Sequence, residues 1–182
     1  MKILIITLLT IAIIIILGYA YYGGFTKISP KIEKCGGEKL AYIHMSGDYK
    51  NSGKFSNKVY NKLLNEYNIK TFRGFGLYYD NPKKVEKEKL KSDIGCIIES
   101  KDTAKIKSIN KDLKIMNFPN EEYIVCEFPF KSSISFIISV LKVYPILNKF
   151  CLENNYSEDT PVMEIWDIPN KKIIYRKKIQ KK

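Results

Sequence analysis

Apolar positions along this chain fall into three rhythms: one unbroken run, several alternating stretches, and one clear four-residue recurrence. From Ile3 to Tyr22 no residue carries a charge, and only Thr7 and Thr10 interrupt the apolar run. A helix of that length rises about 30 Å, one hydrocarbon core. Lys39 to Met45 alternates as a half-buried strand does, and Gly47 to Ser52 is turn-rich and ends in a residue suited to a helix N-cap. The spacing of Phe55, Val59, Leu63 and Tyr67 predicts a helix from about Gly53, with one stripe packed on a sheet. Phe72 to Tyr79 and Ser92 to Ile98 read as two strands joined through Asp80-Asn81-Pro82 and a lysine-rich loop.

The same order then returns. A strand from Tyr123 to Phe128 leads to a helix from about Ser132 to Glu153, a strand from Val162 to Trp166, a turn over Asp167 to Lys171 and a strand from Lys172 to Lys177. Lys31-Ile32 and Lys114-Ile115 form matching lead-ins. Pro145 falls inside the second helix, where it removes a hydrogen bond and crowds the preceding turn, so a kink or break is expected. The chain therefore divides into an anchor and linker at 1–24, one domain at 25–179 with pseudo-repeats at 28–100 and 112–177, and a basic tail at 180–182. The expected fold class is α+β: a transmembrane helix, then a duplicated strand-helix-strand-strand domain with one antiparallel sheet and both helices on one face. A cleft between those helices is a natural ligand site.

Charge narrows the partners. The formal net charge of +12 comes almost wholly from lysine, with Arg73 and Arg176 the only arginines. Bidentate guanidinium recognition of guanine or phosphate is thus nearly absent, and nucleic acid is not an expected partner. Lys2 alone precedes the apolar run while Lys27, Lys31 and Lys34 follow it, a bias that places the domain on the cytosolic side of a single-pass membrane protein, near anionic lipid. The competing reading is a cleaved signal peptide, since Gly18-Tyr19-Ala20 offers small residues where a peptidase needs them. Cys35, Cys96, Cys126 and Cys151 show no metal or secreted-framework spacing and read as free thiols. The sequence has no glycine-rich phosphate loop, metal-ligand cluster or nucleophile elbow, so no cofactor or metal is expected.

On a strand from Val162 to Ile168, a period of two places Val162, Glu164, Trp166 and Ile168 on one face, so Glu164 is flanked by apolar and aromatic groups. The first unit carries Leu77 at the corresponding place. An apolar wall raises a carboxyl pKa and lets the group act as proton donor or base, whereas a bound cation lowers it again. Trp166 adds stacking or cation–π attraction. The plainer reading points Glu164 to solvent or to a neighbouring lysine. Tyr79 is either the opposite wall of the cleft or core, and Tyr49 either overhangs the cleft mouth or packs on the first helix. His44, the one histidine, is either a hydrogen-bonded structural residue or a base.

The segments His44-Met45-Ser46-Gly47-Asp48-Tyr49, Gly76-Leu77-Tyr78-Tyr79-Asp80-Asn81-Pro82, Leu90-Lys91-Ser92-Asp93-Ile94-Gly95 and Met163-Glu164-Ile165-Trp166 resemble, in this order, the GyrI-like small-molecule-binding domain, also found as the effector-binding half of bacterial regulators. The likeness runs from about Ile28 to Ile179 and is greatest to the membrane-anchored branch that includes testis-expressed receptors for autophagy of the endoplasmic reticulum. The resemblance implies a repeat of the SHS2 type and a glutamate, in a Glu-x-Tyr strand, on the floor of the cleft, where it pairs with cationic or amphipathic aromatic ligands. Glu164 and Trp166 occupy that pattern, with Trp in place of Tyr. Ligand-binding residues are then expected at Glu164, Trp166, Tyr79, Tyr49 and His44. Alternatives are a protein adaptor or receptor at a membrane, and a hydrolase of strained electrophiles in which Glu164 directs water.

Overall fold

The computed structural model describes residues 1–99, 102, 105, 106, 109 and 113–182. The expected unit boundaries at 100 and 112 lie outside the described residues. Helix α1 (Lys2–Tyr21) is followed by β1 (Lys31–Cys35), β2 (Lys39–Ser46), α2 (Ser52–Tyr67), β3 (Arg73–Tyr78) and β4 (Lys91–Ile98). Then come β5 (Lys114–Asn117), β6 (Glu121–Pro129), α3 (Ser133–Glu153), β7 (Val162–Asp167) and β8 (Lys172–Lys178). The order strand, helix, strand, strand thus runs twice, each time behind a lead-in strand.

All eight strands join one antiparallel sheet in the order β1-β6-β8-β7-β3-β4-β2-β5. Each lead-in strand pairs with the main strand of the other unit, β1 with β6 and β5 with β2. That exchange dictates the shape. In a flat sheet β1 and β2 would be six strand spacings apart, about 29 Å, yet Cys35 and Lys39 are joined by a link whose reach is at most about 14 Å. The same mismatch holds between β5 and β6. The sheet must therefore roll until its edges approach, and the two links do meet: Gly37 N–H donates to Phe118 at 2.8 Å and Phe118 N–H donates to Glu38 at 2.8 Å.

Rolling gives the sheet an inner and an outer face. Inside sits an apolar cluster built around Leu40, Phe75, Leu77, Val125, Met163 and Ile165, which contains no helical residue. Arg176 enters the same space and meets Glu38 of the β1–β2 link at 2.8 Å. Outside, α2 buries Val59 and Leu63 against Ala41, Cys96 and Ile98, while α3 buries Val143, Leu147 and Cys151 against Ile124, Cys126 and Ile173.

The α3 segment runs unbroken through Pro145, contrary to a break there. Val143 and Leu147 on either side are fully buried and Pro145 is exposed. The lost hydrogen bond thus falls on the solvent side, where packing against the sheet outweighs it. All four cysteines are free thiols, as their spacing suggested, with Cys35 half-buried and the others buried. Helix α1 has a mean hydropathy of 2.9 and buries none of its residues, whereas α3, with a mean hydropathy of 1.5, is a core helix.

Candidate functional site

Glu164 lies in the middle of β7, hydrogen-bonded across the ladder to neighbours whose register puts Gly76 of β3 on one side and Tyr175 of β8 on the other. Residues directly opposite in an antiparallel pair share a face. Glu164 therefore points outward, beneath the helices, and is only 2% exposed. The Tyr144 hydroxyl of α3 donates to its Oε1 at 2.9 Å. Its Oε2 is buried and has no partner among the described residues. Burial pushes its pKa from 4.5 up to about 7, opposed only by the Tyr144 hydrogen bond.

Three phenols enclose this carboxyl. Tyr144 and Tyr175 meet edge to face with ring centroids 5.9 Å apart, and Tyr175 in turn shares a 2.6 Å hydrogen bond with Ser139 of α3. Tyr78 comes from the other side. Burial first, and the nearby Glu164 charge second, hold the pKa values of Tyr78, Tyr144 and Tyr175 above the usual phenol range. All three remain neutral donors at any physiological pH.

Room for these rings comes from Gly74 and Gly76, the β3 residues opposite Trp166 and Glu164. A Cβ on Gly76 would lie 2.6 Å from the Tyr78 hydroxyl oxygen, and one on Gly74 would lie 2.9 Å from the Trp166 indole. Two rings thus lie over two glycines, filling the groove between the helices. Beyond Trp166 the groove opens into a cleft of about 440 Å³, lined by Ser56 and Tyr60 of α2, Gly74, Phe130, Trp166 and Ile168. Phe136 of α3 packs edge to face on Trp166 at 6.0 Å. Glu164 does not line this cleft. It lies one same-face position deeper along β7, about 7 Å further, screened by Trp166 and the tyrosines.

Of the five expected site residues, Glu164 and Trp166 share the helix-covered face. Tyr49 precedes α2 and packs on Tyr78 with centroids 4.7 Å apart, its hydroxyl shared with the Asp80 and Lys91 carbonyls. It touches the aromatic cover of Glu164 without approaching the open cleft. His44 and Tyr79 lie elsewhere. His44 Nδ1 is 2.8 Å from Asp93 Oδ1, and the Tyr79 hydroxyl donates to Asp93 Oδ2 at 2.6 Å. Asp93 is opposite both His44 and Leu77, which assigns this constellation to the inner face.

Tyr78, Tyr144, Tyr175 and the two glycines were not singled out by sequence, although signals existed. The four-residue loop between β7 and β8 fixes Tyr175 opposite Glu164 once Asp167 pairs with Lys172. The Gly74-x-Gly76 spacing in a strand marks a face left open for something bulky.

The GyrI-like small molecule binding domain model matches residues 29–173. Among solved structures, EcmrR in its complex with DNA is similar with a TM-score of 0.63 and 10% identity, over 94% of this chain and 64% of that one. The chain thus spans less than two thirds of that protein's length. SAV2435 bound to tetraphenylphosphonium is similar with a TM-score of 0.57 and 11% identity, over 84% of this chain and 94% of that one. An uncharacterised conserved protein from Listeria innocua follows with a TM-score of 0.53 and 14% identity, over 84% and 92%. At such identities the likeness is one of fold. No curated protein matches the chain in sequence.

Proposed function

The chain belongs to the GyrI-like small-molecule-binding family, and from that premise we propose that it is a membrane-tethered domain that takes up a small apolar or cationic aromatic molecule between α2 and α3, with Glu164 as the polar anchor. The supporting observation is the Glu164 carboxyl itself: buried, held near neutral pKa, and bonded by one phenol only among the described residues. A structural residue in that position would be better replaced by an apolar one, because burying an incompletely paired carboxyl costs stability. A positively charged guest removes that cost by supplying the missing partner.

Ligand entry then follows from the geometry. Trp166 is the inner wall of the open cleft, and displacement of its ring or of Tyr78 joins the cleft to Glu164. Aromatic faces on the way attract a cation as well as an apolar body. Tetraphenylphosphonium, bound by the similarly folded SAV2435, has this character. Helix α1 serves as the anchor in this reading, since a 20-residue, predominantly apolar helix that buries none of its residues needs another apolar environment. The two strand-helix-strand-strand units are read as copies, which explains why their lead-in strands exchange partners symmetrically.

The test is a thermal-shift series on the full chain in detergent micelles, with tetraphenylphosphonium and neutral triaryl compounds of similar size. Ligand that binds the folded state raises apparent stability, by an amount that grows with the logarithm of its free concentration over its Kd. The expected result is stabilisation by the cation that is lost in Glu164→Gln. Equal shifts in both proteins would remove Glu164 from the site.

A further inference from the structure

The mouth of the cleft and the end of α1 lie at the same end of the domain. There β3 begins while β6 and β7 terminate, and the end of α1 together with the segment behind it is held on that rim through Tyr21, Gly23, Gly24 and Thr26. Gly23 packs so closely on Phe128 and Pro129 that a Cβ would lie 2.9 Å from each. Lys131, which follows the cleft residue Phe130, places its Nζ 3.8 Å from the centroid of the Tyr21 ring. Lys142 of α3 donates to the carbonyls of Gly24 and Thr26, the latter at 2.9 Å. Tyr19 and Phe25 meet edge to face at 5.2 Å.

Around this rim the surface is unusually apolar. On the outer side of α3, Ile134, Ile137 and Leu141 are 47%, 58% and 70% exposed. Their spacing of three and four residues makes them one stripe. Phe25, Phe72 and Ile168 add exposed apolar area at the same end. Lysines border it: Lys70 sits 5.4 Å from the Phe72 ring centroid, and Lys27, Lys131 and Lys171 are exposed. An apolar band with aromatics and bordering lysines, continuous with an apolar helix, matches the lipid headgroup boundary rather than water.

We infer that the rim is seated in the headgroup layer of the bilayer that holds α1, so that the cleft opens toward lipid and receives amphiphilic molecules, with an apolar aromatic body and a cationic head, directly from the membrane. This rests on the anchor and ligand readings above. The occupant of the α3 stripe is a membrane rather than a protein because the stripe shares its end of the domain with the helix that needs lipid, and because Lys27, Lys70, Lys131 and Lys171 are exposed there, as anionic headgroups require, while the acidic Glu99 and Glu127 at that end are paired with Arg73 and Lys172.

Three arms test the inference and separate it from its premises. The full chain, in a Trp166→Phe background so that no native tryptophan remains, is given a single reporter by Ile137→Trp or, at the opposite end of the sheet, by Glu88→Trp. Both are reconstituted into anionic vesicles containing lipids brominated along the acyl chain. The expected result is strong quenching and a blue shift for the Ile137 reporter and neither for the Glu88 reporter. Weak, equal quenching at both sites in vesicles that carry the protein on flotation overturns the seating and leaves the anchor intact. Failure of the protein to float with the vesicles overturns the anchor and the inference together. Cross-linked dimers through the Ile137 face would assign the stripe to a second copy and also overturn it. Finally, Ile137→Glu with Leu141→Glu, which leaves the cleft lining untouched, is expected to keep wild-type tetraphenylphosphonium binding in micelles but to lose most of the uptake from vesicles. Equal uptake from vesicles would contradict entry through the membrane.

Discussion

The Tyr144 hydroxyl is 2.9 Å from Glu164 Oε1, and this hydrogen bond from α3 is the one polar contact the described residues give to a carboxyl buried at the centre of the sheet. It ties the position of α3 to the charge state of β7. Tyr144→Phe should therefore raise the Glu164 pKa further, because the only influence opposing burial is lost. At pH 8 the variant should lose roughly 1–3 kcal/mol, the typical cost of leaving a buried acceptor unsatisfied. Urea unfolding at pH 8 and pH 5 checks this, with the smaller loss at pH 5, where the carboxyl is protonated.

Glu164 itself should make the protein less stable as pH rises. Its folded pKa of about 7 lies above the 4.5 of the free group, so the folded state holds the proton more tightly. The contribution is fully present below pH 4.5 and is lost as pH rises through 7. The span corresponds to about 3 kcal/mol. Glu164→Gln should flatten this dependence and be more stable than wild type at pH 8. A thermal melt series from pH 4 to 9 that is as steep in the variant as in wild type would show that the carboxyl is not the titrating group.

The sheet glycines should separate by what they face. Gly76→Ala meets the Tyr78 phenol, a movable group, and should cost about 1–3 kcal/mol, as overpacked positions do. Adding Tyr78→Ala should remove most of that cost, a coupling that a double-mutant cycle measures. Gly95→Ala runs into the Ala41 carbonyl oxygen, which is backbone within the β2–β4 ladder. No side-chain substitution should rescue it.

The inner-face constellation should be structural. His44→Ala or Tyr79→Phe removes one of the two groups that hold Asp93, and each should lower stability by roughly 0.5–1.5 kcal/mol. Neither should alter the affinity of an aromatic cation, because both side chains lie across the sheet from Glu164. Loss of binding in either variant would move the site to the inner face.

Much of this fold was legible in the alternation of Lys39 to Met45, the Val59–Leu63 stripe and the repeated element order, because local period reports local structure. The Glu164–Trp166 face was legible for the same reason. The rolling of the sheet was not. It follows from which distant strands pair, and nothing in Lys31 to Cys35 announces that its partner is Glu121 to Val125. The same holds for His44 and Tyr79. Period two fixes alternation within a strand, but the sequence does not say which set faces the helices. For the rest of the site, Tyr144 reaches Glu164 from a helix twenty residues away, a relation set by packing rather than by spacing. Pro145 shows the limit in reverse: a local rule predicted a kink or a break, and with buried neighbours on both sides the helix is not broken there.

The measurement that tests the account most directly is a calorimetric titration of the full chain with tetraphenylphosphonium at pH 6 and pH 8, in wild type and Glu164→Gln. A cation that binds the ionised carboxyl must displace its proton, so wild-type affinity should rise by up to about tenfold between the two pH values, while Glu164→Gln binds weakly and equally at both. Binding that ignores both pH and the Glu164→Gln substitution would contradict the claim that this buried carboxylate anchors the ligand.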